Sequence, residues 1–581
     1  MGLAATNVQR SWFLAAAVAA SHGACAQVLQ FSDRTAQAGL TAVNTVPPTT
    51  ETALMLGGAG VGDFNNDGWQ DVFVLGGPGA PDKLYINNHD GTFTDQAVAW
   101  GVAATHWGAG VAVGDFNNDG WLDIYVTSWG TDGLSSQHKL YRNNGNGTFT
   151  EVAAIAGVQT TVSSPFGPAD GFGAAFGDYD LDGRLDLAVA GWVPMSGSNR
   201  LFHNNGDGTF TDTTTSLNLD MSNEHGYSPR FQDMNGDGYP ELLWVGDFGT
   251  SVYFINNKNG TFTPATAAAG VGLDGNGMGQ IVADFNNDGL PDWYVTSIYM
   301  PNSGLGYVPG TGNMLYINQG NHHFVETSAA AGVKQAGWAW GTVAADFRNM
   351  GRLDIAATNG WQEASYNGLF LSDPTVLFLN NGDGTFASDA ATCGVLQNGQ
   401  GRGMVTFDYD NDGRQDILIL TNGGPMTLYH NDLTGPNTHY LRVFLSTRGS
   451  KGIAPNGYGA HVTLTTSSGS QHRWISGGSN YLSQSELSAH FGLGAATTAT
   501  QLRVDWPNGT STIQTNVIVD RTMTVRSCTA DFNDDGQITV QDIFDFLTAW
   551  FAHSPQATVH GGPLGVQNIF DFLGDWFKKC G

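Results

Sequence analysis

Short apolar segments separated by glycines and polar turns recur along most of this chain. Residues 110–114 and 124–126 are apolar and rich in β-branched side chains, which predicts strands on either side of a polar loop. Residues 140–144 predict a third strand, and an Asn- and Gly-rich turn leads into a fourth that begins at Phe149. The pattern therefore predicts antiparallel units of four strands, named A to D in chain order.

The same unit can be followed through seven repeats. The polar loops between strands A and B start between 51 and 63 residues apart, at Asp63, Asp115, Asp178, Asp233, Asp284, Asp346 and Asp408. That period suits one four-stranded blade and is typical of propellers rather than of helical solenoids. The sequence predicts an all-β fold with a seven-bladed β-propeller over residues 27–432, followed by a small β domain and a small helical module.

The polar loops share one frame of oxygen-bearing side chains. In residues 115–123 these side chains stand at positions 1, 3, 5 and 9, and Gly120 permits a sharp turn at position 6. A hard cation such as Ca²⁺ is bound by about six to eight oxygens, which alternate residues of a tight loop can direct inward. Six loops keep the frame, and their predicted calcium ligands are Asp63, Asn65, Asp67, Asp71, Asp115, Asn117, Asp119, Asp123, Asp178, Asp180, Asp182, Asp186, Asp233, Asn235, Asp237, Glu241, Asp284, Asn286, Asp288, Asp292, Asp408, Asp410, Asp412 and Asp416.

The sixth loop departs from the frame. Arg348 and Met350 occupy its positions 3 and 5, so two ligands are replaced and a cation is added. We expect this loop to bind no metal, with the Arg348 guanidinium pairing with Asp346 or Asp354 in its place.

The seventh repeat ends without its fourth strand. It stops at residues 428–432, whereas residues 31–33 and 38–40 match strand D and the turn after it in the other repeats. We therefore expect the N-terminal strand to complete the seventh sheet, so that no sheet edge is left open at the seam.

Composition agrees with a turn-rich β protein. Gly accounts for 80 of the 581 residues, and the formal net charge is −29. The ligand positions of the seven loops contain 22 of the 52 acidic residues, so metal sites explain much of this charge. No basic stripe is present that could follow a phosphate backbone, which excludes nucleic acid as a partner class.

Residues 1–26 have the pattern of an export signal. Arg10 precedes a short apolar run, and the small residues at 24–26 suit a cleavage site. The run is too short to span a bilayer, and no later segment is apolar enough to do so. A lipoprotein attached through Cys25 is the alternative, which His22 disfavours. We expect a secreted or cell-surface protein.

The loops and their flanking strands resemble the FG-GAP (VCBS-type) repeats of integrin-like propellers. The resemblance covers most of the chain after the signal, and such repeats are known to bind calcium between strands A and B. It implies about six occupied propeller sites and a role in extracellular or cell-surface binding.

Strand alternation predicts that the calcium loops share one face and that the longer connections lie on the opposite face. Those connections are rich in aromatic side chains, which can stack on sugars or contact peptide segments. We therefore predict a face for a glycan or protein ligand that includes Trp107, Trp129, Trp192, Tyr299 and Trp361. The alternative is that aromatic residues such as Trp107, Trp338 and Trp340 pack between blades.

Residues 437–526 predict a small β domain. Its segments 481–485, 490–494 and 506–509 resemble the ASPIC/UnbV domain, which commonly follows such propellers in cartilage-acidic-protein-like chains. Its histidines stand singly and indicate no metal or catalytic set.

The C-terminal segment predicts a helical module with one calcium loop. Asp531, Asn533, Asp535 and Asp542 have the spacing of an EF-hand-type loop, and an amphipathic helix follows. This helix is repeated 26 residues later, although the loop before the second copy has lost its ligands. The pair resembles a dockerin-like anchor over residues 528–581, which implies a surface or scaffold partner.

The four cysteines divide between the modules. Cys25 leaves with the signal, Cys393 stands alone, and Cys528 and Cys580 bracket the C-terminal module. Export permits a disulfide between the last two, which would close this small module.

The leading functional hypothesis is an exported calcium-binding protein that binds or adheres through its propeller and is tethered by its tail. The alternatives are a carbohydrate-active enzyme of the polysaccharide-lyase type, a glycan-binding lectin, and a purely structural surface component. His106, His225 and Arg230 are candidate lyase residues, but no pattern groups them. No nucleophile elbow, zinc signature or phosphate loop is present, so we favour binding over catalysis.

Overall fold

The structure is a computed structural model that describes residues 27–45, 52–130, 137–159, 169–300, 310–362, 368–478, 480–554, 557 and 564–579. The predicted signal segment and Cys580 lie outside these residues. The described chain is mostly sheet with few helices, and its repeated four-stranded antiparallel sheets are the arrangement of a β-propeller.

The repeats form seven sheets in the described residues. In chain order their strands are β1 (Phe31–Asp33), β2 (Ala59–Gly62), β3 (Asp71–Val74), β4 (Lys83–Asn87), β5 (Phe93–Asp95), β6 (Gly108–Gly114), β7 (Asp123–Gly130), β8 (Lys139–Asn143), β9 (Phe149–Glu151), β10 (Ala169–Asp170), β11 (Ala174–Gly177), β12 (Asp186–Val189), β13 (Arg200–Asn204), β14 (Phe210–Asp212), β15 (His225–Gln232), β16 (Glu241–Asp247), β17 (Val252–Asn256), β18 (Phe262–Pro264), β19 (Gln280–Ala283), β20 (Asp292–Val295), β21 (Met314–Asn318), β22 (Phe324–Glu326), β23 (Ala339–Ala345), β24 (Asp354–Asn359), β25 (Val376–Asn380), β26 (Phe386–Ser388), β27 (Gly401–Phe407), β28 (Asp416–Thr421) and β29 (Thr427–Asn431). Six sheets pair their strands in sequence, as in β2–β3–β4–β5, and β10 adds a fifth strand beside β7.

The N-terminal strand completes the seventh sheet, as the sequence predicted. β1 pairs antiparallel with β29, with Phe31 opposite Asn431 and Asp33 opposite Tyr429, so the order of this sheet is β1–β29–β28–β27. The chain thus joins its first described strand to its last repeat, and the edge of β29 is covered.

The first strands of neighbouring sheets lie against each other. β2 contacts both β6 and β27, β11 contacts both β6 and β15, and β23 contacts both β19 and β27. Between β15 and β19, Gln280 Nε2 donates to the Ser228 carbonyl at 2.6 Å. Contacts therefore pass from sheet to sheet through the described repeats and return from β27 to β2.

Short helices that the strand pattern did not predict follow the fourth strand in five repeats. They are α1 (Ala97–Trp100), α2 (Ala153–Ala156), α3 (Thr266–Ala269), α4 (Ser328–Ala331) and α5 (Ala390–Cys393). Each ends at a glycine in the left-handed region, such as Gly101 with φ 81°. One turn of helix is too short to give a helical periodicity in the sequence.

Seven strands that follow the repeats form a small β domain between His439 and Arg526. Its strands are β30 (His439–Ser446), β31 (His461–Thr466), β32 (Gly469–Trp474), β33 (Ala489–Gly494), β34 (Thr498–Asp505), β35 (Ser511–Ile518) and β36 (Arg521–Arg526). They make a three-stranded sheet, β33–β30–β36, and a four-stranded sheet, β32–β31–β34–β35. Side chains such as Leu441, Val462 and Trp506 form a core of this domain's own.

The C-terminal module contains two helices, α6 (Val540–Phe551) and α7 (Val566–Lys578). Phe546 and Phe572, which are equivalent residues of the repeat, stack with ring centroids 4.3 Å apart. None of the described helices is both long and apolar enough to span a bilayer.

A segment of the small β domain runs between the first strands of the repeat sheets. We name residues 480–486 the plug. The backbone N–H groups of Val61, Val111 and Thr342, on three different sheets, donate to carbonyls of the plug at 3.0 Å. Tyr481 and Leu482 take positive φ angles of 84° and 56°, a strained conformation that the surrounding contacts hold in place.

Candidate metal centres

Each polar loop is organised by the carboxylate at position 1. In the second loop, Asp115 Oδ1 accepts the N–H of Asp119 at 3.1 Å, and Asp115 Oδ2 accepts the N–H of Gly120 at 2.7 Å. Gly120 has φ 86°, a conformation that side chains with a Cβ rarely adopt. At position 9, Asp123 Oδ2 accepts the N–H of Phe116 at 3.1 Å. These bonds fold the loop around its own carboxylates.

The same bonds recur in the other loops that keep the frame. The carboxylate at position 1 accepts the N–H of the glycine at position 6 at 2.7–2.9 Å, in the pairs Asp63–Gly68, Asp178–Gly183, Asp233–Gly238, Asp284–Gly289 and Asp408–Gly413. A shared local geometry, and not merely a shared sequence, therefore brings each predicted ligand set together.

Burial makes these carboxylates hard to ionise without a cation. Desolvation, reinforced by neighbouring carboxylates, raises the pKa of Asp115 to about 7 and that of Asp178 to about 8. The same causes raise the pKa of Asp123 and Asp416 well above the usual range for an aspartate. A bound divalent cation reverses this effect because it favours the charged form of every carboxylate around it.

Buried carboxylate oxygens without hydrogen-bond donors also indicate a divalent cation. Asp180 Oδ1, Asp410 Oδ1 and Glu241 Oε1 are buried and have no hydrogen-bond donor among the described residues. Ligand atoms of Asp178, Asp180 and Asp186 lie within 4.8 Å of one another, and so do those of the equivalent set in the seventh loop. An all-oxygen set with spare lone pairs fits Ca²⁺.

The sixth loop contains an ion pair where the others have ligands. Arg348 Nη2 lies 2.6 Å from Asp354 Oδ1, and Arg348 Nε lies 3.3 Å from Asp354 Oδ2. Arg348 Nη2 also donates to the Asn380 carbonyl at 2.7 Å. The predicted ion pair of Arg348 is confirmed, with Asp354 as its partner.

Sequence reasoning missed a set of asparagines that connect neighbouring loops. At the end of strand C, Asn143 Nδ2 donates to the Phe64 carbonyl in the loop of the preceding repeat at 2.9 Å and to Leu122 in its own repeat at 3.2 Å. The equivalent residues make the same pair of bonds, and they are Asn87, Asn204, Asn256, Asn318, Asn380 and Asn431. Asn87 reaches the Tyr409 carbonyl of the seventh repeat, so the connections return to the first repeat.

Two histidines next to the loops were also missed. His430 Nε2 lies 3.1 Å from Asp410 Oδ2 and 3.3 Å from Asp412 Oδ2, and these hydrogen bonds raise the pKa of His430 to about 11. His203 holds the equivalent place beside Asp180 and Asp186. A histidine directly before the strand C asparagine is the sequence signal for this arrangement.

The C-terminal loop repeats the geometry of the propeller loops. Asp531 Oδ2 accepts the N–H of Gly536 at 2.8 Å, and Asp542 Oδ1 accepts the N–H of Phe532 at 2.9 Å. Asp542 Oδ2 accepts the N–H of Thr539, so the residue also belongs to the N-terminal cap of α6. Asp531 and Asp542 are fully buried. The oxygen set again fits Ca²⁺.

Four of the five aromatic residues predicted for the ligand face belong to or pack against one apolar cluster, and one of the four is buried in it. Trp107, Trp129 and Trp192 are half-buried and pack against one apolar cluster around Trp340. Trp361 is fully buried in that cluster and stacks on Trp338 at 4.8 Å, so it cannot contact a ligand at the surface. The half-buried Tyr299 is not part of the cluster.

The candidate lyase residues have separate surroundings. His106 is buried, with its Nε2 2.9 Å from Asp82 Oδ2. The His225 ring lies 5.0 Å from that of Phe248, whereas Arg230 is buried beside the plug. The structure does not bring the three into one cleft.

The cysteines are in different states. Cys528 is disulfide-bonded, and Cys393 is free and buried. The predicted partner of Cys528, Cys580, lies outside the described residues.

Comparison with known proteins agrees with the repeats and the small β domain. A family model described as an FG-GAP-like repeat matches residues 63–126, 129–189, 178–244, 233–295 and 364–419, and one described as ASPIC and UnbV matches residues 450–531. Cartilage acidic protein 1 of Homo sapiens is 27% identical over 479 residues, which cover 77% of this chain and 59% of that protein. Integrin alpha-V of Gallus gallus is 30% identical over 216 residues, which cover 32% of this chain and 19% of that protein.

Among solved structures, the exotype rhamnogalacturonan lyase YesX aligns with 15% identity and a TM-score of 0.36 over 67% of this chain and 75% of that chain. This similarity is too low to support an argument about function. The two family models match five stretches between residues 63 and 419 and one stretch over residues 450–531. The chain therefore carries FG-GAP-like repeats followed by an ASPIC and UnbV domain, and over this arrangement it is homologous with cartilage acidic protein 1.

Proposed function

We propose that this chain is an exported, calcium-stabilised binding protein. Its signal is residues 1–26, and residues 27–432 form one closed propeller of seven blades. The ASPIC/UnbV-like domain occupies residues 437–526, and a dockerin-like module occupies residues 528–581. The observation that carries the proposal is the repeated burial of ionisable oxygens in loops that side chains link from repeat to repeat.

Six propeller loops and the loop that begins at Asp531 would hold calcium. When bound, the ion supplies positive charge that the buried carboxylates lack. The loop residues orient those carboxylates through backbone N–H groups, as Gly120 does for Asp115. Side-chain amides such as that of Asn143 then transmit the position of one loop to the next.

The face opposite the calcium loops is the proposed binding surface. Trp107, Trp129 and Trp192 form its half-buried aromatic part, and the exposed Phe248 packs near Trp192 with ring centroids 6.2 Å apart. Aromatic faces of this kind bind glycans or apolar peptide side chains. Similarity to the repeats of integrin alpha-V supports an adhesion-type role at or outside the cell surface.

The C-terminal module is the proposed attachment point. The same apolar positions are exposed on both of its helices, and they are Val540, Phe544 and Phe551 on α6 and Val566, Phe570 and Phe577 on α7. Exposed apolar residues repeated on one small module are characteristic of a protein-binding surface. We therefore propose a protein partner on a surface or scaffold.

Glycan-array binding tests the proposed function, with a panel of acidic polysaccharides assayed for cleavage in parallel. We expect the array to show calcium-dependent binding of a glycan, and we expect Trp129→Ala to weaken that binding. The half-buried Trp69, on a loop of the opposite face, gives the control Trp69→Ala. Cleavage of a polysaccharide would contradict the proposal and favour the lyase alternative.

A further inference from the structure

Arg230 is a buried cation where the other repeats are apolar. It lies on β15, three residues before the fourth calcium loop, and only 3% of its surface is exposed. The equivalent residues of the other repeats are small or aliphatic, and they are Gly60, Ala112, Ala175, Ile281, Val343 and Val405. The propeller architecture alone therefore does not require an arginine at this place.

The contacts of Arg230 are neutral and incomplete. Nη1 donates to Ser476 Oγ at 2.8 Å, and Nη2 donates to Asn480 Oδ1 at 3.2 Å. Nε has no acceptor among the described residues, and no described carboxylate forms an ion pair with this guanidinium. A Cβ at Gly478 would lie 2.2 Å from Arg230 Cζ, so the chain passes directly against the guanidinium.

Arg230 lines a cavity of about 130 Å³ between the repeats and the ASPIC/UnbV-like domain. Arg473 lines the same cavity and is also without a carboxylate partner in the described chain. Its Nε donates to the His490 carbonyl at 2.9 Å, and its Nη1 donates to the His472 carbonyl at 2.8 Å. Two guanidinium groups therefore line the same cavity, and that of Arg230 has no ion-pair partner among the described residues.

The acidic groups of the cavity form no ion pair with Arg230 among the described residues. Glu486 forms an ion pair with the buried Arg442 and accepts the Ser488 hydroxyl at 2.6 Å. Asp346 accepts the backbone N–H of Met350 at 2.9 Å, and its negative charge favours the charged form of Arg473 rather than of Arg230. Burial lowers the pKa of Arg230 and of Arg473 to about 10, which leaves both charged at neutral pH.

We propose that this cavity binds a small inorganic anion, with the free Nε–H of Arg230 as a principal donor. A buried charge without a partner is strongly unfavourable, and an anion within hydrogen-bond distance removes the imbalance. By the same measure one bound water needs about 10–15 Å³, so the cavity has room for a halide or a sulfate with water. The anion would join a repeat strand to residues that flank and form the plug.

Crystals of the full chain grown or soaked in sodium bromide test the site directly. We expect an anomalous bromide peak within hydrogen-bond distance of Arg230 Nε. A parallel soak in sodium sulfate distinguishes an oxyanion site from a halide site. Water alone beside Nε in both soaks would overturn the proposal, whatever bromide binds at the surface.

Thermal melting gives a second, independent measurement. At constant calcium and ionic strength, replacing gluconate with bromide should raise the midpoint by a few degrees in a saturable way. Arg230→Met should lose this rise, whereas Arg142→Met, at an exposed arginine of β8, should keep it. An equal rise in both variants would contradict the site. If Arg230→Met does not fold, the wild-type crystals decide.

Discussion

In each repeat, an asparagine at the end of strand C links the loop of its own repeat to the loop of the preceding repeat. Asn143 does so for the first and second repeats, and its amide is buried with both N–H bonds made. The Asn-Asn pair at this point is explained locally as a hairpin turn, which is why its role between repeats could not be predicted from the sequence. Only the folded chain places the Phe64 carbonyl opposite it.

We predict that Asn143→Ala lowers the free energy of unfolding by about 1–3 kcal/mol, because two buried carbonyls lose their donor. Asn144→Ala is the matched control, since the exposed Asn144 only bonds across its own hairpin. Chemical denaturation of both variants in calcium measures the difference. Equal stability of the two would contradict the role of Asn143.

Two substitutions in the sixth loop should create a calcium site there. Arg348→Asn together with Met350→Asp restores oxygen at positions 3 and 5, so the chain should bind one more calcium ion than the wild type. Equilibrium dialysis gives the stoichiometry. Met350→Asp alone is the control, because the Arg348–Asp354 ion pair remains and should still exclude the ion. A folded double variant with unchanged stoichiometry would contradict our interpretation of this loop.

At the scale of elements, the sequence predicted the strands, the loops and the completion of the seventh sheet, because each has its own local pattern. The N-terminal strand could be assigned since residues 31–33 carry the register of a strand D. The plug could not be predicted, because residues 480–486 have no periodicity and their contacts are made with distant strands. Trp361 was placed at the surface for a related reason, since a loop aromatic gives no local sign of burial.

The plug joins the ASPIC/UnbV-like domain to the repeats through Tyr481. This side chain is fully buried, its ring packs 5.2 Å from that of Trp340, and its hydroxyl donates to the Met55 carbonyl at 2.9 Å. We predict that Tyr481→Ala costs about 3–5 kcal/mol and separates the unfolding of the two domains in calorimetry. Tyr481→Phe should cost only about 1 kcal/mol and keep one transition. A single unchanged transition for Tyr481→Ala would refute the coupling.

The C-terminal loop should order the helix that follows it. Asp542 both closes the loop and caps α6, so loss of the ion would release the start of that helix. We predict that Asp531→Ala makes the C-terminal module sensitive to limited proteolysis in calcium. Asp571→Ala, on α7 and away from the loop, should leave cleavage as in the wild type. Equal resistance of both variants would show that this loop does not depend on calcium.

At the scale of the whole molecule, the seven sheets, the seven asparagine links and the loops form one continuous assembly in the described residues. Each of the six loops that keep the frame concentrates carboxylates, and the repulsion between these carboxylates opposes folding unless a cation is present. Because asparagine side chains connect neighbouring loops, loss of the ion from one loop should also destabilise the loops next to it. We therefore predict that calcium stabilises the propeller as a unit rather than loop by loop.

The most direct test is the thermal unfolding of the full chain in calcium and after removal of calcium with EDTA, at the same ionic strength. We predict one cooperative transition whose midpoint falls by at least about 10 °C on chelation and recovers when calcium, but not sodium, is restored. A midpoint that does not move on chelation would contradict the claim that metal-filled loops hold this propeller together.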